Sequence, residues 1–257
     1  MSEQIKTAFI VAMEREVQPL LEECEPLTVD DLLSIQDSAN TLRHPLSVYR
    51  WESSIVVCSG PGYKNAASAA RQAIDRFSPE MVVSIGFAGA LAPGMKVGDV
   101  FVPRHIVSER TGSAFTSPRG KGSLVTADTV AGEDRKRVLF ARFRAQAVDM
   151  EAAAVAAVAA SRDCEFLALK VISDELDTPI DFVEPYIRPE GFRVVAFLAH
   201  LSIRPWLWPT VFCLRRDSHR AAEHLCSAIR VLVSQGRGAL ETLYGSGPVL
   251  EAELKGS

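Results

Sequence analysis

One stretch constrains the chain more than any other: Met81-Val-Val-Ser-Ile-Gly-Phe-Ala-Gly-Ala-Leu-Ala-Pro-Gly-Met-Lys-Val-Gly-Asp-Val-Phe-Val-Pro103. It opens as a short apolar run rich in β-branched residues, the pattern of a strand buried on both faces. Such a strand needs helices above and below it. The run is read as ending at Gly86, where Gly86-Phe-Ala-Gly89 lets a neighbour approach the backbone closely. A second apolar run, 99–102, follows Gly98. In open α/β sheets, ligands sit beyond the carboxyl ends of strands. Gly86, Phe87 and Ala88, on to Ala90, therefore form a candidate site floor. A tight strand-to-loop turn with no ligand is the alternative.

The flanking sequence alternates strands and helices. Residues 7–12 predict a buried first strand, and 13–23 a helix with Val17, Leu20 and Leu21 at helical spacing. Residues 46–51 and 55–58 predict a hairpin turning at Glu52-Ser53. Ser59-Gly-Pro-Gly62 opens a helix over 65–77, 104–122 is a polar loop, and 124–126 a short strand. A charged, solvated helix over 132–144, a strand end at 145–148, an Ala/Val-rich helix over 150–161 and a buried strand over 166–172 follow. After Asp181 the character changes: an apolar helix over 192–200, an aromatic, proline-broken 203–209, then a last helix. Asp217 or Ser218 would cap that helix, Leu225, Ile229 and Leu232 would share one face, and it would end near Gly236. The expected fold is α/β: a single domain over 1–257 with a mixed, mostly parallel central sheet flanked by helices, and a divergent C-terminal helical segment from about residue 182.

Bulk properties exclude several classes. The 257 residues are 47% hydrophobic and 23% charged, enough for one large core. A net charge of -4 gives no electrostatic reason to expect a nucleic-acid partner. Cys24, Cys58, Cys164, Cys213 and Cys226 form no CxxC pair and no metal-ligand cluster with the five histidines, so no metal is expected. Scattered thiols and an N-terminal apolar run (8–13) too short for a signal or membrane span suggest a cytoplasmic protein. Ser59-Gly-Pro-Gly62 lacks a glycine of the dinucleotide fingerprint and follows a hairpin rather than the first strand. Walker A, Gly-x-Ser-x-Gly and His-Glu-x-x-His patterns are absent, and no organic cofactor is expected.

Acids cluster where strands end: Glu14 and Glu16 after the first, Asp149 and Glu151 at the Ala-rich helix, and Asp174 after Lys170-Val-Ile-Ser173. Any one of them at a helix start has a plain electrostatic explanation. Three sets on three strand ends point instead to one site. A half-buried carboxyl at Asp174 suits a general acid, because desolvation disfavours its charged form. Glu151 suits hydrogen bonding to vicinal hydroxyls.

These residues together resemble the purine nucleoside phosphorylase and methylthioadenosine/S-adenosylhomocysteine nucleosidase superfamily. The markers are Ala12-Met-Glu-Arg-Glu-Val17, Ser59-Gly-Pro-Gly62, Gly86-Phe-Ala-Gly-Ala-Leu-Ala-Pro93 with Val97-Gly-Asp99, Val148-Asp-Met-Glu-Ala152 and Ile172-Ser-Asp174. The resemblance implies cleavage of a purine N-glycosidic bond in a small nucleoside. Asp174, supported by Ser173, would protonate the base at N7. Glu151 would hold the ribose hydroxyls with Met150 packed on the sugar, and Glu16 would orient water. Met13 and Val130 fall where the family contacts substrate. Phosphorylases carry Arg and Ser at the positions of Ser84 and Phe87, and the nucleosidases' own serine is absent at Phe87. Phosphate as co-substrate would then need Lys64, Arg15 or another cation. The sequence after Asp177 is similar to the hopanoid-associated branch, which acts on adenosylhopane. A large apolar 5′ group would need a lane, for which Phe182, Trp206, Leu207 and Trp208 are candidates; a peripheral membrane contact, core packing or an oligomer contact are the other readings. The family also implies a homo-oligomer.

Overall fold

The computed structural model describes residues 4–27, 46–179, 187–188, 191–192 and 208–239. In chain order, β1 (Thr7–Val11) leads through a 3-10 turn (Glu14–Glu16) to the short α1 (Gln18–Leu21). Then come β2 (Glu25–Pro26), β3 (Ser47–Trp51), β4 (Ser54–Cys58), α2 (Tyr63–Phe77) and β5 (Met81–Ala90). The middle of the chain supplies β6 (Val100–Phe101), β7 (His105–Ser108), β8 (Ala114–Thr116), β9 (Ser123–Thr126), α3 (Glu133–Phe143) and β10 (Ala147–Asp149). The Ala-rich α4 (Ala152–Ser161), β11 (Glu165–Asp174), the β12 (Ile187–Arg188) and β13 (Gly191–Phe192) pair, and α5 (Trp208–Gln235) complete it.

β5 is the shared spine. β11 runs parallel along one edge of it, from Glu165 opposite Met81 to Asp174 opposite Gly89. The other edge is divided. β1 pairs parallel with Met81 to Ser84, and β10 pairs antiparallel with Gly89 and Ala90. Between those two ladders β5 has no strand partner on that edge among the described residues, and the sheet forks. β4 and the β3 hairpin continue one limb; β9, β7 and β8 continue the other.

Two layers of helix cover the sheet. On one side α2 presents Ala66, Ala69, Ala70 and Ala73 to α4, whose residues 152–156 are fully or almost fully buried. Methyl-sized side chains let these helices approach closely, which explains the long alanine run. On the other side α5 seals β1, β5 and β11 with Ala221, Leu225, Ala228, Ile229 and Leu232. Each large side chain buried there contributes about 1.5–3 kcal/mol by leaving water.

The structure revises several expectations. The strand does not stop at Gly86; it runs to Ala90, and Gly86 instead takes a φ of +135° within it. Residues 13–23 form a 3-10 turn and one short helix rather than a continuous helix. The 104–122 segment contains β7 and β8. Asp217 and Ser218 lie inside α5, which starts at Trp208, and cap nothing. Phe192 is in a strand rather than an apolar helix. Residues 193–200 lie outside the described residues, as do Phe182, Trp206 and Leu207.

Candidate active site

The fork opens a cleft of about 1410 Å³. Along the unpaired stretch of β5 the backbone turns to side chains for partners. Glu16 fills that role: its carboxylate accepts the Phe87 N–H, and its Oε2 accepts the Met13 N–H at 3.1 Å. A Cβ on Gly86 would meet Glu16 Oε2 at 3.3 Å in a backbone conformation that side chains rarely adopt. Glycine is needed there because a buried carboxylate lies against the strand. Glu16 is only 4% exposed. Burial pushes its pKa up, opposed chiefly by the Lys170 ammonium.

β11 supplies the second acid through a bulge. Its register with β5 shifts between Ile172 and Asp174. Adjacent strand residues ordinarily point to opposite faces, and a bulge re-aims them. Here Ser173 and Asp174 both line the cleft. Ser173 Oγ donates to Asp174 Oδ1 at 2.7 Å, and Lys136 Nζ lies 2.5 Å from Oδ2. A Cβ on Gly89 would come within 2.9 Å of that Oδ2.

The third acid sits where β10 turns into α4. Glu151 accepts the Gly62 N–H at 2.8 Å and the Met150 N–H at 3.2 Å. Burial first, then the neighbouring Asp149 charge, pushes its pKa up to about 7. Asp149 itself has a structural task. Its Oδ2 accepts the Ala152 N–H at the start of α4 and pairs with buried Lys170 at 2.9 Å, while Thr126 Oγ1 donates to its Oδ1. Desolvation pulls the Lys170 pKa down, but Asp149, Glu151 and Glu16 outweigh it and the net direction is up. The helix-start explanation thus holds for Asp149. It is also the plain case for Glu14, which does not line the cleft and accepts from the exposed side of Tyr49 Oη at 2.9 Å.

Met13, Glu16, Phe87, Ala88, Val130, Met150, Glu151, Ser173 and Asp174 all line one cleft. Gly86 lies behind Glu16 rather than on the wall. Ser84 is 1% exposed and accepts from Lys170 Nζ at 3.1 Å, so it faces the interior and not a ligand. Lys64 is exposed and off the cleft, whereas Arg15 lines it. Trp208 begins α5, and its side chain lies outside the described residues. Three features escaped the sequence reading. Lys136 falls in a segment read as a charged, solvated helix, and Lys170 in a strand read as buried with no role given to it; both are fully buried, against Asp174 and Asp149. The α5 wall, with Phe212, Leu214, Arg215, Arg216, His219, Arg220 and His224, has no motif to announce it. His224 Nδ1 lies 2.7 Å from the Gly98 carbonyl and ties α5 to the loop after β5. Among the described residues no three-residue His/Cys/Asp/Glu group could hold a metal, and no helix is long and apolar enough to cross a membrane.

The model of the Phosphorylase superfamily matches residues 6–121 and 118–186. The chain belongs to the phosphorylase superfamily. It is an enzyme of the nucleoside phosphorylase and nucleosidase kind. This superfamily member is 28% identical to the 5′-methylthioadenosine/S-adenosylhomocysteine nucleosidase of Bacillus pumilus, over 206 aligned positions covering 66% of this chain and 86% of that one. It is 30% identical over 158 positions to the nucleosidase of the same name from Listeria monocytogenes, covering 47% and 68%. Among solved structures, Arabidopsis thaliana 5′-methylthioadenosine nucleosidase superposes with a TM-score of 0.67 at 19% identity, covering 91% of this chain and 97% of that one. Helicobacter pylori futalosine hydrolase gives 0.59 at 19% identity, covering 89% and 98%. These likenesses bear out the α/β expectation, with its central sheet between helices.

Proposed function

We propose that this enzyme cleaves the N-glycosidic bond of a 5′-substituted adenosine and releases adenine. The observation that carries the reading is the convergence of Glu16, Glu151 and Asp174, from three separate strand ends, on one cleft at the fork of the sheet. Asp174, held by Ser173, gives a proton to N7 as the C1′–N9 bond breaks, so the base leaves neutral. The ribosyl centre gains positive charge in that step, and the Glu151 and Glu16 carboxylates face it with negative charge. Glu151 accepts from the ribose hydroxyls, Met150 packs on the sugar, and Val130 contacts the base. Glu16 holds the attacking water.

Phosphate is the second reading for the acceptor. Arg15, Arg215, Arg216 and Arg220 on the cleft wall favour it; the burial of Ser84 and the apolar Phe87 favour water. For the 5′ group, the cleft exceeds the roughly 300–1,000 Å³ usual for small ligands. Exposed Phe212, with Leu214 and Ala222, lends its outer wall apolar surface. Both support a bulky apolar substituent. Adenosylhopane is therefore the substrate to compare with methylthioadenosine, which the relatives' names carry.

Incubation with each nucleoside, with and without phosphate, is read by free adenine. Adenine release that needs no phosphate identifies water; no release from either nucleoside overturns the reading. Asp174→Asn loses about 10²–10⁴-fold in kcat, the usual contribution of a general acid, and keeps the wild-type circular-dichroism spectrum. Full activity in that variant removes Asp174 from its role.

A further inference from the structure

Lys136 is the residue the site does not explain. It is fully buried on α3, a helix whose only other buried residue is Leu139. Burying an ammonium is costly unless it is paired. Its partners are the Glu175 carbonyl, to which it donates, and the Asp174 carboxylate, against which it forms an ion pair. Asp174 Oδ2 has no hydrogen-bond partner among the described residues, so the ammonium is its whole compensation. The site makes room for the pair: a Cβ on Gly89 would meet Asp174 Oδ2 at 2.9 Å and Lys136 Cε at 3.2 Å. Lys136 is absent from the cleft wall.

We infer that Lys136 is a positioning residue that strengthens Asp174 as an acid. This rests on the N-glycosidic reading above. When the C1′–N9 bond breaks, its electron pair goes to the base and the Asp174 proton moves to N7. A carboxylate is left behind, and the Lys136 ammonium faces that developing charge without moving. An opposite charge this close favours the ionised carboxyl.

Other charges around the pair are already engaged or lie across the cleft. Glu175 pairs with Lys96 at 2.8 Å, and Asp177 with Arg137 at 3.2 Å. Asp149 pairs with Lys170, beside Glu151 and Glu16. β5 contributes no charge opposite Asp174, since Ala88 and Gly89 stand there. From α5, Arg220, His219 and His224 line the facing wall.

The test compares wild type, Lys136→Met and Lys136→Arg with two substrates: the cleaved nucleoside and its N7-methylated analogue. The methylated base already carries positive charge and needs no proton. Lys136→Met is expected to lower kcat on the unmethylated nucleoside, within the about 10²–10⁴-fold that a general acid contributes, while sparing the methylated one. Lys136→Arg keeps the wild-type ratio of the two rates. Lys136→Gln, uncharged but able to hydrogen bond, gives the same readout as Met if the Met variant fails to fold. Equal losses on both substrates make Lys136 merely structural and overturn the inference. A wild type that releases adenine from no nucleoside would instead sink the reading on which it rests.

Discussion

Glu151 shows how much a single residue here depends on what surrounds it. Burial and the Asp149 charge raise its pKa from 4.5 to about 7. Between those values the folded chain holds a proton that the unfolded chain has released. Stability from this group is therefore full below about pH 4.5 and is lost as pH rises through about 7. The expected outcome is a stability difference, wild type minus Glu151→Gln, that falls steadily across that interval in urea titrations of ligand-free protein. A difference that rises would reverse the sign and place the charged form as the favoured one. The identity of the three acids was legible in the sequence, because carboxyls after β-branched runs are uncommon and fall at strand ends. Their compensation was not. Lys136 stands among Asp134, Arg135 and Arg137 in a segment that reads as solvent-facing, and nothing in its neighbours marks it as the one charged side chain turned inward.

At the scale of elements, alternation of apolar runs with amphipathic or alanine-rich segments was enough to place β1, the β3–β4 hairpin, α2, α4 and β11 close to their observed bounds. It failed at β7 and β8. β8 is an outer strand, exposed at Ala114 and Thr116, so it has no buried face to write a period into the sequence. It failed too at the start of α5, where polar residues suggest a cap but the helix passes straight through. α5 acts on the site from outside the sheet: one face packs on β11 and β5, and its N-terminal half walls the cleft. Leu225, with no exposed surface, anchors that packing. Leu225→Ala is expected to cost about 2–5 kcal/mol in chemical denaturation. Because the packing also positions the wall, KM for the nucleoside rises more than kcat falls. A variant that loses stability with KM unchanged would separate the wall from the helix that carries it.

On the scale of the whole molecule, the fork in the sheet has a consequence for the order in which the protein is built. One limb holds Glu16 and the other holds Glu151, and within the sheet β5 joins them, with β11, which carries Asp174, along its other edge. The β3–β4 hairpin closes locally and early; the ladders of β5 join distant parts of the chain and form slowly. Neither limb contains a complete set of acids. Catalytic competence is then the last property to return on refolding, trailing the recovery of secondary structure seen by circular dichroism. Activity that reappears in step with the earliest phase would mean that the two limbs come together before the sheet is finished. A chain organised this way does no chemistry while half made, so nucleoside turnover doubles as a clock for the final joining of the two limbs.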